Sequence, residues 1–171
     1  MRYGQKVVSE AKECWDKAEG HFHLSALQND VADFNKQNSI FKKGIAVMPI
    51  CFGISFTNTL MNQARSLVHV YTDGSVVIST GAIEMGQGVN TKMLQVAAQT
   101  FGISADKIKI NSTNTYRIAN TSPSAASATA DLNGKATQLA CIEILDRIKT
   151  VAAQDLNSSP EKITIQDGVV Y

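Results

Sequence analysis

Gly81-Ala82-Ile83-Glu84-Met85-Gly86-Gln87-Gly88-Val89-Asn90-Thr91 is the stretch on which the reading of this chain turns. A β-rich run ends just before it, at Ser79, and a helical pattern begins at its end. Strand, glycine loop, helix is an arrangement that lets backbone approach an anionic ligand. Glycine tolerates positive φ and has no Cβ in the way, and a helix N-terminus offers unpaired N–H groups and a positive dipole end. Gln87 stands between two glycines, and its amide carries donors and an acceptor. There is no Gly-Lys-Ser/Thr ending of a P-loop and no third glycine at the dinucleotide-binding offset. An ordinary tight connection, with Gly and Thr as turn and N-cap residues, uses the same letters.

Outward from this loop the period of the pattern is clear. Residues 67–72 and 75–79 are β-rich runs around Asp73-Gly74, which predicts a two-residue hairpin. Residues 91–101 predict a helix, with Gly102 just past its end. Residues 107–111 predict a strand, 112–126 a loop rich in Ser, Thr, Asn and Ala, and a long helix follows from Ser127 or Asp131 to Gln154. Residues 163–165 predict a strand and Asp167-Gly168 another hairpin turn. Residues 104–110 echo 159–165, which reads as one local helix-to-strand solution used twice. Upstream, Val7, Val8, Ala11, Cys14, Trp15 and Ala18 share one face of a helix over 4–19 ended by Gly20. Leu24, Leu27, Val31 and Phe34 mark a second helix with Ser25 as N-cap. The apolar run 44–56 predicts a buried strand bent at Pro49 and Gly53. The expected fold is α/β of the α+β type, a mixed or antiparallel sheet with packed helices. Residues 1–171 are taken as a single domain, with 1–40 a helical lead-in and 41–171 the α/β core.

The chain has 171 residues, enough for one domain with a real core or two very small ones. Its 44% hydrophobic and 18% charged residues are those of a globular protein. A formal charge of +1 argues against a nucleic-acid or membrane footprint, and no apolar run approaches the ~20 residues that span a bilayer. Cys14, Cys51 and Cys141 are odd in number and scattered, which fits reduced thiols and a cytoplasmic setting, each as a free core cysteine.

A second helix start repeats the logic of the first. In Thr121-Ser122-Pro123-Ser124-Ala125-Ala126-Ser127-Ala128-Thr129-Ala130-Asp131, small residues and hydroxyls precede the long helix. Ser127 and Thr129 can donate to an anion; the plainer alternative is a capping segment with Asp131 as N-cap. Two such helix starts would make a cradle for a phosphate-bearing cofactor if they converge. His21 and His23 flank Phe22 without further ligands at zinc-like spacing. His69 reads as an ordinary strand residue, and no Gly-x-Ser-x-Gly elbow or Cys–His signature is present.

These residues also carry a resemblance. Lys42-Lys43-Gly44, Phe52-Gly53-Ile54-Ser55-Phe56-Thr57, His69 to Ser75, Glu84-Met85-Gly86-Gln87-Gly88-Val89-Asn90-Thr91-Lys92-Met93 and Asn120 to Ser127 closely resemble the molybdenum-binding part of the xanthine dehydrogenase and aldehyde oxidase family. The match runs in order over most of residues 10–150. It implies that Met85, Gly86 and Gln87 belong to a loop that hydrogen-bonds the pyranopterin or its phosphate. It implies that Ser127 and Thr129 contact that phosphate, and that the Ala126 backbone, beside Ala125, packs against the molybdenum centre. Ala130 stands where relatives often carry another hydroxyl. Phe56 resembles the aromatic that packs on a purine ring, and Thr57 a neighbour in the substrate pocket.

The same resemblance exposes absences. The family's Gly-Gly-Phe-Gly-Gly-Lys-Glu and Arg-Gly-Phe-Gly segments, and its late catalytic glutamate, are not in these residues. That glutamate acts as general base and that arginine stabilises charge building on the purine. No catalytic residue is therefore assigned here. The expectation is an internal fragment of the large subunit, part of the molybdopterin-binding domain, ending abruptly at Tyr171. The intact enzyme would carry the molybdenum cofactor, oxidise a purine and pass electrons to iron–sulfur and flavin domains or subunits. The isolated chain is expected to be inactive toward purines, to hold no stoichiometric molybdenum and to form a homodimer through the unpaired strand edge near Ile163–Tyr171 or through the vacated cofactor face. The alternative is a free-standing, non-catalytic domain that binds a phosphate ligand or a partner protein.

Overall fold

The computed structural model describes residues 6, 8–48, 50 and 53–171. The chain divides into two compact units, Met1–Phe52 and Gly53–Tyr171.

In the first unit, α1 spans Ala11–Phe22 and α2 spans Leu24–Gln37. Gly20 lies inside α1 rather than ending it, and the break falls at His23, whose φ of 51° is left-handed. His23, not Ser25, precedes α2. Among residues 6 and 8–10 there is no helix, and Val7 lies outside the described residues. Neither helix buries much: α1 has no buried residue and α2 only Leu24. Trp15 and Cys14 are exposed, so Cys14 is not a core cysteine. Asn35 ties down the following segment, donating to the Lys43 carbonyl and accepting from its N–H at 2.9 and 2.8 Å. Lys43 Nζ sits 4.0 Å from the Phe34 ring centroid.

The described residues of the run 44–56 are not in a strand. Its described residues form no ladder, and Met48 and Ile50 are 81% and 83% exposed. Pro49, Cys51 and Phe52 lie outside the described residues. A β-rich composition becomes a strand only beside another strand's N–H and C=O groups, and the described part of this unit has none.

The second unit is built on the predicted hairpin. β1 (Ser66–Val70) and β2 (Val76–Thr80) are antiparallel in the register Val68↔Ile78. The connection is longer than two residues. Gly74 N–H donates to the Tyr71 carbonyl at 3.0 Å and Gly74 alone has positive φ there, so Thr72-Asp73 form a type I turn closed by a left-handed glycine. Asp73 prefers to accept from Ser75, through its hydroxyl at 2.7 Å and its N–H at 2.9 Å. Those bonds, the hydroxyl first, hold its carboxyl below its usual value.

From β2 the chain enters the glycine loop, then α3 (Val89–Phe101), then β3 (Ile108–Ile110), parallel to β2. The sheet order is β1-β2-β3. Val89, Met93, Ala97 and Phe101 recur every fourth residue and form the buried stripe of α3. α4 (Thr129–Asp155) buries Asn133, Thr137 and Cys141 at the same spacing and packs on α3 and β1. Val68, Val76, Ile78, Ala97, Phe101, Ile108 and Cys141 form the main core. Burial pushes the Cys141 thiol up to about 11.

Gly102 ends α3 in the left-handed conformation, as the pattern predicts. A Cβ there would run into the Ile165 carbonyl, so Gly102 also sets how closely the last hairpin approaches. That hairpin pairs β4 (Ile165–Gln166) with β5 (Val169–Val170) through a true two-residue turn, Asp167 and Gly168 both at positive φ. The predicted strand 163–165 is shifted: Ile163 is buried below a 3-10 turn, Pro160–Lys162. Ala105–Lys107 makes the same turn before β3, which accounts for the repeated motif.

The cavity between two helix starts

β2 ends and α4 begins at one buried polar junction. Thr80 Oγ1 donates to Asn133 Oδ1 at 3.0 Å and accepts from the Ala82 N–H at 3.3 Å. Asn133 Nδ2 donates to the Thr129 carbonyl at 3.2 Å. Both residues are buried, and no buried polar side chain among the described residues lacks a partner. Below this junction Ala82, Val89 and Met93 pack together, and Met93 is fully buried.

Further cross-links bind the two loops. Ile83 N–H donates to Ser124 Oγ at 2.8 Å. Thr113 Oγ1 donates to the Ala82 carbonyl at 2.7 Å. Gly81 faces Thr121 so closely that a Cβ would collide with its hydroxyl. Ser122 donates to the Met61 carbonyl.

The result is an open cavity of about 360 Å³ between the start of α3 and the start of α4. One wall carries Met85, Gln87, Val89 and Lys92; the other carries Ser124, Ala125, Ser127, Thr129 and Ala130. Four of the predicted cofactor residues, Met85, Gln87, Ser127 and Thr129, thus line one space although they are some 40 residues apart in sequence. Gly86 lies in the same loop with a φ of 99°. Ala126 and Ser127 are both left-handed, with φ of 53° and 51°, a conformation uncommon for residues with a Cβ.

Phe56 and Thr57 are not among the cavity's residues. Phe56 is half-buried and is held by Asn62, which accepts from its N–H at 2.9 Å and donates to its carbonyl at 3.0 Å. Ser55 N–H donates to the Ala126 carbonyl at 2.9 Å. The segment bearing Phe56 and Thr57 is therefore moored directly to the Ala126 turn, beside the cavity.

Three features were not visible in the sequence. Among the described residues Lys92 is the one cationic residue lining the cavity, and none of those lining it is acidic. Glu84 closes the start of α3: Oε1 accepts from Gly86 and Gly88 N–H at 2.8 and 2.9 Å, and Oε2 from Asn90 N–H at 3.0 Å. These bonds, Asn90 first, hold its carboxyl below the ordinary 4.5. The N–H groups of Gly86, Gly88 and Asn90 are thus satisfied within the loop. Gln87 is also partly engaged, its Oε1 accepting from Met85 N–H at 2.6 Å and its Nε2 donating to the Ile83 carbonyl at 2.7 Å. The N-cap of α4 is Ala128, which offers no side-chain cap, and Asp131 sits in the first turn rather than at the N-cap.

The donor set is that for an oxyanion: one ammonium, three hydroxyls, an amide and an uncapped helix end, with no carboxylate among them. It fits the phosphate-bearing end of a pterin cofactor. Among the described residues no group of three His, Cys, Asp or Glu could hold a metal ion directly, and no helix is long and apolar enough to cross a membrane.

The family model of the molybdopterin cofactor-binding domain matches residues 17–171, and the chain belongs to that family. Within it the chain is similar to xanthine dehydrogenase/oxidase of Gallus gallus, 47% identical over 150 residues, covering 88% of this chain and 11% of that protein. Xanthine dehydrogenase of Dictyostelium discoideum is 43% identical over 160 residues, covering 91% of this chain and 12% of its own. The chain thus spans about a tenth of the length of these relatives. Among solved structures, quinoline 2-oxidoreductase from Pseudomonas putida 86 matches with a TM-score of 0.56 and 29% identity over 63% of this chain and 14% of that one. A carbon monoxide dehydrogenase from Oligotropha carboxidovorans gives a TM-score of 0.56 and 26% identity over 60% and 13%.

Proposed function

We propose that this chain forms one wall of the cofactor site of a xanthine dehydrogenase-type molybdenum hydroxylase, and that its cavity receives the phosphate end of the molybdopterin. The convergence of Gln87, Lys92, Ser127 and Thr129 on one acid-free space supports this most directly. In this reading Lys92 supplies charge, Ser127 and Thr129 donate hydroxyl hydrogens, and the left-handed turn at Ala126 leaves room for the molybdenum end. Met85 and Gly86 shape the loop that carries Gln87. Phe56 and Thr57, moored to that turn through Ser55, face the substrate. When bound, the molybdenum cofactor supplies the oxygen-transfer and two-electron redox chemistry.

The parent reaction proposed is hydroxylation of a purine carbon with oxygen from water, the electrons leaving to iron–sulfur and flavin domains or subunits. This rests on the names of the similar proteins and their far greater length. Residues 1–171 are read as one contiguous piece of the cofactor-binding domain. Three cysteines without a pairing pattern support a cytoplasmic setting.

Titration with inorganic pyrophosphate, followed through backbone amide resonances, tests the cavity reading. Ser127, Thr129, Ala130 and Lys92 should shift in a saturable way, and Lys92→Ala should weaken the apparent affinity at least about fivefold, the loss of one charge-assisted contact. No shift at those residues would overturn it.

A further inference from the structure

We propose that Asn133-Gly134 is a latent deamidation site, held unreactive by the junction with Thr80 and converted irreversibly when the start of α4 opens. The inference stands apart from the reading of the cavity.

Asn133-Gly134 is the one Asn-Gly step in the sequence. Asparagine is thermolabile, and most so before glycine, where no Cβ shields the attacking nitrogen. The Gly134 nitrogen gives up its proton to water and attacks Asn133 Cγ. The Cγ–Nδ2 bond breaks and Nδ2 leaves as ammonia, which closes a five-membered imide. Water then opens either imide carbonyl and yields aspartate or isoaspartate. One water is consumed and one ammonia released.

The folded chain blocks the first step. Gly134 is buried within α4, where its N–H is bound in the helical ladder. Asn133 is 5% exposed. Its Oδ1 accepts from Thr80 Oγ1 at 3.0 Å and its Nδ2 donates to the Thr129 carbonyl at 3.2 Å. The first of these bonds reaches across 53 residues to β2, so the amide cannot turn onto the Gly134 nitrogen while β2 and α4 stay docked.

The product cannot rebuild the junction. A carboxylate only accepts, so the Thr129 carbonyl loses its donor and meets a buried charge. Isoaspartate lengthens the main chain by one carbon and breaks the ladder of α4. A single opening that leads to reaction therefore removes the support of the Thr129 turn for good. At Gly134 a Cβ would make ordinary contacts, at 3.5 Å to Met93 and 3.9 Å to Val96. The reactive glycine can thus be replaced without disturbing α3.

Peptide mass spectrometry and enzymatic isoaspartate methylation measure conversion at residue 133 in the full chain, at mildly alkaline pH. In denaturing urea Asn133 should convert at least about tenfold faster than in the folded chain. Gly134→Ala should slow the denatured rate at least about tenfold, which identifies the step. Folded Thr80→Val should convert at least about fivefold faster than wild type, and Thr80→Ser, which keeps the hydroxyl, should return toward it. Where Thr80→Val does not fold, wild type in sub-denaturing urea decides. Its rate should rise before the global transition seen by circular dichroism. A folded rate equal to the denatured rate would overturn the proposal. So would a folded Thr80→Val at the wild-type rate, a rise that only tracks global unfolding, or a denatured rate that Gly134→Ala leaves unchanged.

Discussion

The start of α3 and the start of α4 look alike in sequence and behave as opposites in structure. Each gathers small residues before a helix and each faces the same cavity. Before α3 the Gly86 and Gly88 N–H groups, and within its first turn that of Asn90, are bound by Glu84. α4 has no side-chain cap and presents hydroxyls and backbone to the cavity. A pattern of glycine, serine and threonine therefore identifies a helix start capable of holding an anion.

The comparison can be broken most severely from below. Met93 is fully buried beneath the α3 start and touches Thr137 of α4 at 3.7 Å through its sulfur. Met93→Ala should cost about 2–5 kcal/mol, the range for deleting a large core side chain, and should blur both helix starts together. Urea denaturation gives the cost. A loss below 1 kcal/mol would mean that the two starts are not held by a common core.

Thr80→Val acts on the link between them. It leaves Asn133 Oδ1 and the Ala82 N–H short of a partner in a buried place. The expected cost is about 1–3 kcal/mol, with pyrophosphate binding weakened because Asn133 positions the Thr129 turn. Equal stability and equal binding would show that the junction does not align the walls.

A pH titration separates the two ends without mutation. The folded-state pKa of Glu84 is depressed, so its contribution is complete above about the ordinary value of 4.5 and is lost as pH falls through the lower folded value. The amide resonances of Gly86, Gly88 and Asn90 should therefore titrate with a midpoint below 4.5. A midpoint at or above that value would contradict the hydrogen-bonded carboxylate.

The smallest effect comes from Gly134, in α4, where a Cβ would meet the Met93 methyl at 3.5 Å and a Val96 methyl at 3.9 Å, both ordinary contacts. Gly134→Ala should stabilise by about 0.5–1 kcal/mol through helix propensity, raising the thermal midpoint while leaving pyrophosphate affinity unchanged. A fall in stability would reveal closer α3–α4 packing than the backbone shows.

Much of the second unit was legible in the letters. Alternating β-rich runs around Asp73-Gly74, a four-residue apolar spacing in α3 and glycine at its end are local signals, and they gave strands and helix in the right order. The first unit was less so. Its helices were recognised but their ends were misplaced, because the left-handed break fell on His23 rather than on glycine. The apolar run 44–56 read as a buried strand and has no ladder among its described residues. Hydrophobic composition reports that a surface prefers to be covered, and carries no information on what lies beside it.

At the site, residue identities came from the sequence and their roles from geometry. Gln87, Ser127 and Thr129 stand out by motif, and Met85, Gly86, Ala126, Phe56 and Thr57 by resemblance. Lys92 and Glu84 were present in the same motif and carried no local mark of their different tasks. A side chain's task depends on what it meets. Lys92 meets the opposite wall across the cavity, and Glu84 meets three N–H groups of its own loop.

By itself the sequence determined the element order, the α/β class and the two loops able to approach an anion, because helix period, turn chemistry and glycine's freedom act over a few residues. Only the tertiary structure decided that the loops converge on one cavity and that the Glu84 carboxylate is taken up by the amides of its own loop. Those outcomes depend on the parallel β2–β3 pairing, the α3–α4 packing and the Thr80–Asn133 bond, which join residues tens of positions apart.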